Sequence, residues 1–137
     1  MSAQEVHELV DRISRMTSVS AQSLSGVLGV SLLQRRQTQS WAFFEFALQS
    51  GPLAHGELKV RRQGTEALIV LDVRESEPLT YDDLSLARYG EPVSMRLNPA
   101  IPPEGANAYG YDVRGVHVYF EFRSVSNRLR TVSFEWR

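Results

Sequence analysis

The chain contains no cysteine. That excludes disulfides, thiolate metal sites and a cysteine nucleophile. It is compatible with a reducing compartment without requiring one. Lysine is almost missing as well: Lys59 stands alone, and arginine supplies the rest of the basic charge. An excess of either sign is also absent. Fifteen basic residues face 16 acidic ones, for a formal net charge of -1. Proteins that bind nucleic acid usually present a clearly basic domain, so this balance argues against that partner class. No apolar run approaches the roughly 18 residues that a membrane helix needs. The opening "MSAQEVHELV" has no basic stretch followed by an apolar one. No signal peptide is therefore expected, and the expected location is the cytoplasm.

Catalytic signatures are missing too. There is no P-loop, no G-x-G-x-x-G turn and no G-x-S-x-G elbow. The three histidines, His7, His55 and His117, have no second histidine at a metal-ligand spacing such as H-x-x-x-H. The expectation is a protein without metal or cofactor, and not an enzyme.

What remains is a strongly patterned chain of 137 residues, enough for one domain with a substantial core. Ser2 and Glu5 have capping-box spacing, and Val6, Leu9, Val10, Ile13 and Met16 recur at helical intervals. An amphipathic helix over 3–16 is predicted. Ser20 is a candidate N-cap for a second, short helix ending at Gly26 or Gly29. Strand patterns follow in "VSLLQRRQ" and "SWAFFEFALQ", with Phe44, Phe46 and Leu48 on one face. "ELKVRRQGTEALIVLDV" predicts a hairpin turning at Gln63–Thr65. Its second strand is apolar on both faces apart from Asp72, as in a central strand covered on both sides.

Thr80 can cap another short helix ending at Gly90. "VSMRL" is a short strand, and the proline-rich 98–108 stretch is an exposed loop. In the last hairpin, Val116, Val118, Phe120 and Phe122 share one face, and His117, Tyr119, Glu121 and Arg123 the other. On its return strand Leu129 is out of phase with Val132, Phe134 and Trp136, which predicts a bulge.

The predicted fold is α+β: N-terminal helices packed on one face of a mainly antiparallel sheet of six to eight strands, the other face partly open. The halves 17–75 and 79–137 share a grammar of helix followed by strands. Two tandem units would produce it; so would any helix-then-meander protein. The segment "LTYDDLSLARYGEP", with "YGYDV" and "VHVYFEF…LRTVSFEW" after it, resembles the helix-plus-sheet unit of the outer-membrane assembly lipoprotein family. A tandem version of that unit is similar to the β-lactamase inhibitor protein architecture. The resemblance implies a binding protein that presents a sheet face or loops. The lipid-attachment cysteine of those lipoproteins has no counterpart here, so their anchoring is not implied. In type, the chain also resembles small bacterial immunity proteins, which inhibit a cognate toxin.

The candidate contact surface follows from charge and aromatics. Glu75, Glu77, Asp82 and Asp83 form an acidic run suited to a basic partner, such as the cationic groove of a nuclease toxin. The tyrosines of the second half flank the proline-rich loop, and tyrosine is enriched at interface hot spots. The predicted partner-binding set is thus Glu75, Glu77, Tyr81, Asp82, Asp83, Tyr109, Tyr111 and Asp112. The predicted function is inhibition of a bacterial toxin or effector by occluding its active site. Two alternatives stay open: a small-ligand or enzymatic domain with a cavity between helices and sheet, and a secretion-system adaptor or chaperone that uses the open sheet face. Arg35, Arg36, Arg61 and Arg62 are read as solvated strand positions that protect an edge. Oligomeric state is not legible.

Overall fold

The computed structural model describes residues 2–76, 78–97 and 105–137, with the side chains of Ser2 and Leu97 excepted. Glu77 and the loop residues 98–104 lie outside the described residues, as does the Ser2 side chain of the predicted capping box.

Two helices open the chain. Helix α1 (Ser2–Ser14) ends two residues before the predicted point, and Met16 N–H closes its last turn on the Ile13 carbonyl at 3.0 Å. Helix α2 (Ala21–Leu28) has Ser20 as its N-cap. Ser20 Oγ accepts from Ser23 N–H, and Ser23 Oγ accepts in return from Ser20 N–H. Gly29, at φ 68°, ends it in the left-handed conformation that glycine adopts without a Cβ penalty.

Eight strands then build one antiparallel sheet: β1 (Leu33–Gln37), β2 (Trp41–Ala47), β3 (Leu53–Arg61), β4 (Ala67–Val73), β5 (Ser94–Leu97), β6 (Ala106–Val113), β7 (Val116–Arg123) and β8 (Leu129–Trp136). Their spatial order is β1-β2-β3-β4-β8-β7-β6-β5. The first four strands form one meander and the last four another. The two join where β4 pairs antiparallel with β8, Ile69 opposite Phe134. Each strand of one half therefore lies at the same distance from the β4–β8 seam as its counterpart in the other, and helical segments precede both meanders.

Period-two alternation decides the core. Val118, Phe120, Phe122, Phe134, Ile69 and Leu71 have no exposed surface, and they meet Val6 and Ile13 of α1 and Leu24 of α2. Full burial of one such side chain contributes about 1.5–3 kcal/mol. At Gly56 of β3 the Phe46 ring lies directly over the backbone. A Cβ there would fall well inside van der Waals distance of the ring and 2.9 Å from Leu71 Cδ2.

The predicted helix of 80–90 is broken in two. Helix α3 (Tyr81–Leu84) stops at Ser85, at φ 48°, and a 3-10 turn over Leu86–Tyr89 runs on to Gly90. The break lets Leu84 and Leu86 both reach the core. Strand β6 begins at Ala106, inside the stretch predicted as loop, because 106–108 pair with Arg123, Phe122 and Glu121. The bulge in β8 is present: Glu121 pairs with Thr131 and Phe122 with Leu129, leaving Arg130 extra. β4 departs from expectation. It is central, but helices cover only its Ile69–Leu71 side, and Leu68 and Val70 are half-buried on the opposite face.

Candidate interaction surface

The uncovered face of the sheet has a definite chemistry. Its middle is apolar and aromatic. Cross-strand register places Phe43 beside Lys59 and Lys59 beside Leu68, and in the next row Val70 beside Ser133 and Ser133 beside Tyr119. Trp41 stands opposite Arg61 at one end. All these side chains are half-buried, and none belongs to the helix-side core.

Cations lie on the rings. The Arg36 guanidinium is 4.3 Å from the Phe43 centroid, Lys59 Nζ is 4.3 Å from the Trp41 ring, and Arg61 lies 4.9 Å from Trp41. Each such pair contributes about 0.5–1 kcal/mol when exposed. A bulge in β1 between Gln34 and Arg36 turns two successive arginines to this face: Arg35 pairs with Glu45 at 2.9 Å while Arg36 stacks on Phe43. On the far side Arg130 pairs with Glu121 at 3.4 Å.

Two hollows mark the surface. One, of about 260 Å³, lies among Arg35, Arg36, Phe43, Lys59, Leu68 and Val70. The other, of about 340 Å³, lies among Leu68, Val70, Ser94, Arg96, Ala108 and Tyr119. They share Leu68 and Val70, so together they extend from β1 to β5. At Gly110 the Tyr119 ring and Ser94 Oγ close over the backbone, and a Cβ would meet both.

The seven described residues of the set predicted for partner binding do not form one patch. Glu75 is exposed in the turn after β4, where it lines a polar hollow of about 680 Å³ with Arg128 and Arg130. Glu77 lies outside the described residues. Asp82 is exposed on α3. Asp83 is occupied as a cap: its Oδ2 accepts from Thr80 N–H at 2.9 Å and from the Thr80 hydroxyl at 3.0 Å, and these bonds hold its carboxyl below the usual aspartate range. Tyr81 and Tyr109 pack on each other at 5.0 Å, and both pack on Phe122, which leaves them half-buried. Tyr111 is 2% exposed among Tyr89 and Phe120 and offers no surface to a partner. Asp112 sits at the β6–β7 turn, where it accepts from Gly115 N–H at 3.0 Å. That is the end of β6 away from its Ala106–Arg123 pairing and so away from α3, whose N-cap Thr80 bridges to Arg128.

One buried polar pair went unpredicted. His7 is 7% exposed. Its Nε2–H donates to the Leu84 carbonyl at 2.7 Å, so its Nδ1 accepts from the Tyr89 hydroxyl at 2.5 Å. Burial, with Arg88 nearby, lowers the His7 pKa, and burial pushes the Tyr89 phenol up to about 12. With both ring nitrogens engaged, the pair ties α1 to the segment before β5. The signal for it was the seven-residue spacing of His7 and Ser14, two polar residues on the buried side of α1.

No family model, curated protein or solved structure matches this chain. Its chemistry must therefore be read from its own surfaces. Among the described residues no three histidine, aspartate or glutamate side chains gather where they could hold a metal, and no helix is long and apolar enough to cross a membrane. A partly open face was expected, but Trp41, Phe43, Lys59, Leu68 and Val70 were not named as its contact residues. Two signals point to it. In Trp41-Ala42-Phe43-Phe44 the adjacent phenylalanines must face opposite ways, and Leu68 to Leu71 is apolar in both phases.

Proposed function

We propose that this chain is a non-enzymatic protein-binding protein and that its uncovered sheet face makes the contact. The observation that carries this is the half-buried Phe43–Leu68–Val70–Tyr119 floor at the centre of a face on which, among the described residues, no helix packs. An aromatic and aliphatic centre with ion pairs around it has the anatomy of an interface, in which a desolvated middle is ringed by polar groups. The specific form we propose is a cytoplasmic inhibitor that occludes a bacterial toxin or effector. Its support is the likeness in type to immunity proteins and the balanced charge, which suits one specific partner over a generic polyanion.

The test is rescue. Cells expressing the toxin encoded beside this gene should survive when the chain is co-expressed. Lys59→Glu with Val70→Arg should abolish rescue while keeping a wild-type melting curve. Glu75→Lys with Asp82→Lys, on the segment first predicted for contact, should leave it intact. The opposite pattern would return the contact to the acidic segment. Absence of any toxin beside the gene, or failure of the wild-type chain to rescue, would remove the inhibitor form.

A further inference from the structure

The uncovered face also carries information about the chemistry of its occupant. Its floor is apolar, yet its rim is unbalanced in charge. Glu45 and Glu121 are already matched, by Arg35 and Arg130. Among the described residues, Arg36, Lys59 and Arg96 meet no carboxylate, and Glu57 is the lone carboxylate of the two hollows without a cation. Three cations without a carboxylate partner thus stand against one such carboxylate along the trough that the two adjoining hollows make, with Arg36 on β1, Lys59 on β3 and Arg96 on β5. Cations left unpaired beside an apolar surface favour a partner that brings carboxylates with its apolar side chains, because each then gains a partner on desolvation.

We propose that this trough receives an extended segment of a partner protein bearing apolar side chains flanked by Asp or Glu. The proposal rests on the protein-binding reading above and specifies its ligand. The trough crosses all eight strands. At about 4.8 Å per strand it measures roughly 34 Å, the reach of about ten extended residues. Phe43 and Leu68 supply apolar contact, Arg36 and Arg96 the charge at either end, and Lys59 a cation between them. A single nucleic-acid strand fits less well. The Phe43 and Trp41 ring faces, on which bases would stack, are occupied by the protein's own Arg36 and Lys59, and Glu45, Glu57 and Glu121 lie on the same face.

The experiment is selection of random peptides of about 12 residues, displayed on phage, against the full chain, with binding of the selected peptides measured by calorimetry. The expected peptides combine Asp or Glu with large apolar residues. Their affinity should fall at least about tenfold in Lys59→Glu and in Arg96→Glu, and fall as salt is raised. Circular dichroism melts confirm that both variants fold. Selected peptides that are neutral or basic, yet still sensitive to Val70→Arg, would overturn the acidic partner and leave the protein-binding reading standing. No enrichment, or displacement of the peptides by a twelve-residue oligothymidylate, would overturn both. Peptides displaced by self-association of the chain, seen in sedimentation, would make a second copy the occupant and overturn the proposal.

Discussion

Gly56→Ala should destabilise the protein, although alanine is usually the better residue inside a strand. The reason is the Phe46 ring, 4% exposed, whose Cζ and Cε2 lie over the Gly56 backbone. An added Cβ collides with both atoms and comes within 2.9 Å of Leu71 Cδ2, itself fully buried. The ring is held in the core cluster, so the cost is that of overpacking, about 1–3 kcal/mol. Removing a strand glycine returns about 0.5–1 kcal/mol of unfolded-state entropy. Three atoms are met at once, so the overpacking cost lies in the upper half of its range; the net loss is then about 1–2.5 kcal/mol, or a fall in melting temperature of roughly 4 °C per kcal/mol. Urea unfolding followed by tryptophan fluorescence measures it. Phe46→Leu supplies the control, since leucine lacks the two colliding atoms. In that background only the Leu71 contact remains, so Gly56→Ala should cost less, giving a coupling energy of about 1 kcal/mol or more. Equal losses in both backgrounds, or a Gly56→Ala protein as stable as wild type, would refute the reasoning.

Three more outcomes are expected. Because burial, and then Arg88, lowers the His7 pKa, the unfolded chain takes up a proton that the folded chain resists. Stability should be complete above about pH 6.5 and decline as pH falls below it; urea midpoints for His7→Gln should lose that part of the slope, and an unchanged slope would contradict it. Arg88, Tyr89, Asp11, Asp112 and Arg114 line the same hollow and should be kept intact in that comparison. Tyr89→Phe strips His7 Nδ1 of its donor and should cost about 1–3 kcal/mol in the same assay; with its phenol near 12, its loss should leave the phenolate absorbance below pH 11 unchanged. Asp83→Ala should lower the melting temperature by removing both bonds to Thr80, while Asp82→Ala, on the same short helix and exposed, should not.

Alternation made the core legible. Val116 to Phe122 and Val132 to Trp136 announced their buried face, and the misphased Leu129 announced the bulge, because side-chain period and pleat are the same fact. Caps were equally local: Ser20 and Gly29 decide α2 within their own turn. Strand order was another matter. Nothing in β4 names β8 as its neighbour, since pairing between distant strands is settled by the joint burial of Ile69, Leu71, Val132 and Phe134. The tyrosines show the same limit. Tyr109 and Tyr111 share a face of β6, yet one is half-exposed and the other sealed under Tyr89, a contact made by a segment twenty residues away in the chain. Apolar residues on both sides of β4 predicted cover on both sides; the described residues supply only one, and the other side is where a partner is proposed to sit.

The β4–β8 seam has a consequence for how the protein is made. β4 leaves the ribosome with Ile69 and Leu71 in place but with one edge open, and its partner strand is the last of the eight to be synthesised. Through translation of the entire second meander the nascent chain therefore carries a long apolar strand with unpaired backbone groups, the kind of edge that recruits other chains. Folding of this sheet is completed from its middle, once the last of its strands has emerged. A stop codon before Leu129 would not trim an edge; it would remove the strand that joins the halves and leave two exposed meanders in the cell.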